Sequence, residues 1–133
     1  MSITRGSALA EVLLIDDDDL IRESLEAALL HYGHDVRLAN GARMAFKMIE
    51  ERAPQVIVTD IMMPDIDGIG VVQEVKKRWP ALPVIAISGG GMSPSDDILT
   101  MASVLGATAT LSKPFDIAEL SRIITRAANP AAA

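Results

Sequence analysis

The segment Val12–Leu20 reads V-L-L-I-D-D-D-D-L, so four adjacent carboxylates, Asp16 to Asp19, follow a run of buried-type side chains. Two carboxylates 4 Å apart repel by about 4 kcal/mol at an effective dielectric near 20. Such a cluster either raises its own pKa values or holds a hard divalent cation. Three other positions at the ends of apolar runs also carry reactive groups: Asp60 after V-I-V-T, Ser88 after V-I-A-I, and Lys113 after T-L-S. Oxygen donors from Asp16, Asp17 and Asp60, with no cysteine and no nearby histidine, favour Mg²⁺ or Mn²⁺ over zinc. Metal, hydroxyl and ammonium together can neutralise the three oxygens of a phosphoryl group attached to one carboxylate.

These groups can cooperate only if the chain brings them to one place. The apolar pattern switches repeatedly between strand-like and helix-like segments. Strands are expected at Val12–Ile15, His34–Leu38, Val56–Thr59, Val84–Ile87 and Thr108–Leu111. Helices are expected at Leu20–Tyr32, closed by Gly33, then at Ala42–Glu51, Gly68–Arg78, Asp96–Leu105 and Asp116–Ala128. Five alternations imply parallel βαβ units and a sheet covered on both faces. The first, third and fourth strands have the continuous hydrophobicity of strands buried on both sides, whereas the second alternates and the fifth is small and mixed. The expected fold is therefore α/β: a three-layer, doubly wound (flavodoxin-like) parallel sheet of five strands, order 2-1-3-4-5, with five helices. In such a sheet ligands bind beyond the carboxyl ends of the strands where the order reverses, here between strands one and three. That crevice receives Asp16 and Asp17 from one loop and Asp60 from another.

The composition bounds what the site can serve. A chain of 133 residues is expected to be one domain: 11–128, between a flexible N-terminal tail, 1–10, and a C-terminal tail, 129–133. Twelve basic against eighteen acidic residues give a net charge of −6, the wrong sign for direct nucleic-acid binding. With no cysteine there is no disulfide framework and no Cys-based zinc site. Met1–Ala10 has no apolar signal core, and no apolar run approaches the ~20 residues of a membrane span. The expectation is a cytoplasmic protein without membrane contact.

Together I-D-D-D-D, T-D-I-M-M-P-D-I-D-G, I-S-G-G-G and S-K-P-F, at the ends of successive strands, are a strong joint signal. The chain resembles, over nearly its whole length, the receiver domain of two-component response regulators (CheY-like). The resemblance implies that Asp60 is the phosphoacceptor, taking a phosphoryl group from a phosphohistidine. It implies that Asp17 binds Mg²⁺ directly and Asp16 through water, with the Met62 backbone carbonyl as a further ligand. Ser88 and Lys113 would hold the phosphoryl oxygens, and the bond before Pro114 would be cis. Asp18 and Asp19 fall outside that set, and Asp19 is expected to cap the first helix. The implied partners are a sensor histidine kinase or a histidine phosphotransfer protein, and a downstream protein target on the face of the fourth helix, fifth strand and fifth helix. No separate substrate is implied.

Taken singly, the same residues have plainer readings. Asp16 and Asp17 suit a helix N-terminus, Asp60 a turn before Pro64, Lys113 a solvated surface, Ser88 and Gly89–Gly91 an ordinary loop. His31 and His34 flank Gly33 and read as structural or surface residues. The sequence also departs from the family. Thr110 stands where many receivers carry an aromatic ring, which would shift the switch onto the loop and helix that follow Ser88. After Phe115 only one helix and a short tail follow, so a single-domain type acting through protein contacts, or a phosphate relay or sink, is expected if the chain is complete, and a receiver cut from an effector domain if it is a fragment. A haloacid-dehalogenase-type phosphohydrolase would usually place an acid at Met62 and add a cap domain. A pseudo-receiver usually lacks a site residue, and all five principal positions are present. A nucleotide-binding turn would need glycines where this chain has aspartates.

Overall fold

The computed structural model describes residues 9–61, 68–88, 102–103 and 105–129. Five strands, β1 (Glu11–Ile15), β2 (Asp35–Ala39), β3 (Val56–Asp60), β4 (Val84–Ser88) and β5 (Ala109–Ser112), form one parallel sheet in the order β2-β1-β3-β4-β5. The helices among the described residues are α1 (Asp19–His31), α2 (Ala42–Glu51), α3 (Gly68–Arg78) and α4 (Ile117–Ala128). The expected helix Asp96–Leu105 lies outside the described residues except for 102, 103 and 105.

Strand periodicity divides the core. Along β1, Leu13 and Ile15 join one apolar cluster with Ala45 and Ile49 of α2 and Val71 and Val75 of α3. Val12 and Leu14 point the other way, into a cluster with Leu25 and Leu29 of α1 and Leu120 and Ile124 of α4. A strand buried on both faces needs an apolar residue at every position, and β3 and β4 are buried throughout. β2 and β5, only partly buried, form the two edges.

The start of α1 corrects one expectation. Asp18, not Asp19, is the N-cap: its backbone is extended (φ −91°, ψ 117°) and its Oδ1 accepts from the amides of Leu20 (2.9 Å) and Ile21 (3.1 Å). A capping carboxylate must lie just outside the helix to reach the second and third amides inside it. Asp19 is already helical and pairs with Arg22. At the other end Gly33, at φ +94°, allows the chain to turn back, and the amides of Gly33 and His34 bond the carbonyls of Leu30 and Leu29. The folded body also begins earlier than Glu11. Ala10 is fully buried, its carbonyl accepts from the Asp35 amide, and the Leu9 amide donates to Gly33. These two residues extend the β1–β2 pairing and do not belong to a tail.

His34 is buried in front of β2, and its Nε2 lies 2.7 Å from the buried Ser121 hydroxyl of α4. Among the described residues its Nδ1 has no partner. Burial disfavours the charged ring and lowers its pKa below the usual 6.5. The unfolded chain therefore takes up a proton near pH 6.5 that the folded chain resists, so stability falls as pH drops below that value. The slope from this one group is at most about 1.4 kcal/mol per pH unit. His34→Gln keeps a hydrogen-bonding partner for Ser121 and does not titrate. The urea midpoint should fall less between about pH 7.5 and about pH 5.5 in the variant than in wild type. Parallel losses would show that His34 gains no proton on unfolding.

Candidate functional site

The register of the sheet brings the acidic residues together. In the β1–β3 pair Ile15 lies opposite Thr59, so one step further along both chains Asp16 comes abreast of Asp60. One carboxylate oxygen from each of Asp16, Asp17 and Asp60 lies within 4.8 Å of the others. Asp16 and Asp60 are buried (2% and 8% exposed), while Asp17 is exposed. Asp17 is therefore the member of the cluster most open to solvent.

This arrangement is costly for the charged form. The Asp16 carboxyl is pushed above the ordinary aspartate range, chiefly by burial. The Asp18 amide, which donates to Asp16 Oδ1 at 2.9 Å, opposes that shift, as does the Lys113 ammonium; the charges of Asp60 and Asp17 add to it. Lys113 thus faces the cluster electrostatically. Its amide donates to the Ser88 carbonyl (2.8 Å), tying the end of β4 to the chain leaving β5, and the Lys113–Pro114 bond is cis. Ser88 itself is 1% exposed, and its Oγ has no hydrogen-bond partner among the described residues. A buried hydroxyl without a partner forgoes about 1–3 kcal/mol, a cost that a ligand oxygen can remove.

Gly68 is the residue whose role the sequence pattern understated. A Cβ there would sit 2.1 Å from the Ile61 Cα and 2.5 Å from the Asp60 carbonyl oxygen. The first turn of α3 therefore packs directly against the backbone that carries Asp60, and the Gly68 amide donates to Ile61 (3.2 Å). The available signal was a glycine at the very start of the helical pattern, closing the stretch T-D-I-M-M-P-D-I-D-G that carries Asp60. Thr110, the departure from the family pattern noted above, is half-buried on β5 opposite Ala86. Met62 and Gly89–Gly91 lie outside the described residues.

An all-oxygen set with two buried carboxylates suits a hard divalent cation, which would offset the repulsion that burial amplifies. The ammonium of Lys113 and the hydroxyl of Ser88 add one charge and one donor on the neighbouring strand ends.

Known proteins share the sequence pattern and the fold. The sequence profile described as "Response regulator receiver domain" matches residues 12–125. A "DNA-binding transcriptional regulator NtrC" of Azospirillum brasilense is 35% identical over 122 residues, 90% of this chain but 24% of that protein. The chain thus spans about a quarter of the length of the curated relatives it matches. Among solved structures, a response regulator receiver domain protein from Clostridium thermocellum superposes with a TM-score of 0.84 at 30% identity, covering 92% of this chain and 97% of the other. The receiver domain of NtrX from Brucella abortus gives 0.83 at 33% identity, covering 90% and 98%.

Two substitutions separate the cost of this geometry from its support. Gly68→Ala should lose about 1–3 kcal/mol in urea unfolding, since the atoms in its way are backbone. Wild-type stability in that variant would mean that α3 can shift away from Asp60. Asp16→Asn should gain about 0.5–2 kcal/mol in metal-free buffer near neutral pH, as expected when a functional site is relieved of strain. A loss would mean that the carboxylate supports the loop more than it burdens it.

Proposed function

This chain belongs to the response regulator receiver family, and on that footing we propose that it is a phosphoryl-accepting switch with Asp60 as acceptor. A carboxylate oxygen of Asp60 attacks the phosphorus of a phosphohistidine on a histidine kinase or histidine phosphotransfer protein. The new O–P bond forms as the P–N bond breaks, and the imidazole nitrogen leaves with the electron pair and picks up a proton. The product is an acyl phosphate on Asp60.

The convergence of three carboxylates at the ends of two adjacent strands carries this reading. Asp16 and Asp17, with Asp60 itself and the Met62 backbone carbonyl, would hold Mg²⁺ or Mn²⁺. When bound, the ion supplies positive charge to the phosphoryl oxygens and to the carboxylates around them. Lys113 supplies the opposing cation, and Ser88 donates its hydroxyl proton to a phosphoryl oxygen, giving its buried Oγ a partner. The Ser88–Lys113 backbone bond couples the two groups, so movement of the Ser88 hydroxyl toward the phosphoryl group is passed to β5. A partner protein reads that movement at the edge formed by β5 and α4; the further helix expected on that face lies outside the described residues.

Intact mass after incubation with Mg²⁺ and phosphoramidate tests the reading. Wild type should gain one phosphoryl group in a Mg²⁺-dependent manner, and Asp60→Asn should gain none. An adduct that persists in the variant would move the acceptor elsewhere. No adduct, with no Mg²⁺ binding and no beryllofluoride complex, would leave a protein-binding module whose acidic cluster is structural.

A further inference from the structure

We propose that Arg22 is a positioning residue for the cation site: it locks the loop after β1 so that Asp16 and Asp17 present their carboxylates toward Asp60. The inference rests on the receiver reading above and assigns a role to a side chain outside the acidic set. Arg22 lies on α1 and is only 16% exposed, unusual for a surface arginine. Its Nη1 donates to the Asp16 carbonyl at 2.8 Å, six residues back along the chain. Its Nη2 pairs with the Asp19 carboxylate, and its own amide donates to the Asp18 carbonyl at 2.9 Å. One side chain therefore bridges the end of the strand and the first turn of the helix, bracketing the whole acidic loop.

The contact matters because of which atom it holds. The Asp16 amide is fixed by the Ala39 carbonyl at 3.2 Å. With its carbonyl fixed by Arg22 as well, both peptide planes flanking the Asp16 Cα are set, and so is the direction of its side chain. The second of those planes includes the Asp17 nitrogen, so the start of the exposed ligand is set too. The Asp18 amide, bonded to Asp16 Oδ1, completes the bracket. The effect is geometric: the influences on the Asp16 carboxyl are burial, the Asp18 amide, Asp60, Lys113 and Asp17, without the Arg22 charge. A guanidinium suits the task because its planar fork can donate in two directions at once.

The test titrates Mg²⁺ into wild type, Arg22→Ala, Arg22→Lys and Asp19→Asn, and reads the concentration giving half of the maximal thermal stabilisation. Exchange of the Asp18 amide is followed separately in metal-free protein. Arg22→Ala should raise the half-saturating Mg²⁺ about tenfold, the lower end of the loss seen when groups orienting metal ligands are removed. It should also speed Asp18 exchange. Arg22→Lys, which still has a donor for the Asp16 carbonyl, should recover most of the affinity, and Asp19→Asn should stay near wild type. If Arg22→Ala lowers the melting temperature but leaves both half-saturation and Asp18 exchange unchanged, Arg22 only stabilises the helix and the proposal fails alone. If wild type itself shows no response to Mg²⁺, the cation site fails and the role of Arg22 in it fails too.

Discussion

The constraint on which this structure turns is the placement of two buried carboxylates, Asp16 and Asp60, abreast at the ends of adjacent strands. Burial and like charge both work against ionising Asp16. A protein designed only for stability would not keep this arrangement. The neighbouring features moderate it. The Asp18 amide and the Lys113 ammonium both favour the charged form. The sheet supplies rigidity, since β1, β3 and β4 are flanked on both sides by other strands and covered on both faces. Loops alone could not hold mutually repelling groups so close.

The same constraint explains why small local devices gather at this end of the sheet. Gly68 brings α3 against the backbone of Asp60, where any side chain would collide with main-chain atoms. Asp18 ends the loop by capping α1, so the four consecutive aspartates divide their work: two face the cluster, one caps, and one pairs with Arg22. Ser88 is kept buried without a partner among the described residues, while its carbonyl is tied to the Lys113 amide. The reading of Asp60 as acceptor gives that hydroxyl an acceptor to meet. The far end of the sheet has a different character. There the His34–Ser121 contact joins the β2 edge to α4 within an apolar setting, and a neutral imidazole suits it.

Similarity to longer regulators places the receiver activity in context without assigning their other activities to this chain, which spans about a quarter of such a relative. Thr110 gives the chain its own character. Where an aromatic ring would supply a bulky mobile element, a half-buried threonine lies opposite Ala86. The Lys113 amide and the Ser88 carbonyl link the ends of β5 and β4 beside it.

The amino-acid sequence by itself determined the alternation of strands and helices, the two edge strands, and the set of strand ends that carry acid, hydroxyl and ammonium. These are legible because periodicity and continuous hydrophobicity are properties of short segments. The bounds of α2 and α3 follow from pattern alone, since Ala42–Glu51 and Gly68–Arg78 are the observed spans. Only the tertiary structure decided which aspartate caps α1, because capping depends on backbone dihedrals that two adjacent, chemically identical residues do not reveal. It also decided that Gly68 is required by contact with Asp60, that His34 is buried against Ser121, and that Arg22 reaches back to the Asp16 carbonyl. Each of these is a distance between atoms brought together by register and packing. A composition or a spacing names the groups, but the ångströms that let them repel, pair or hold one another exist only once the sheet has closed around them.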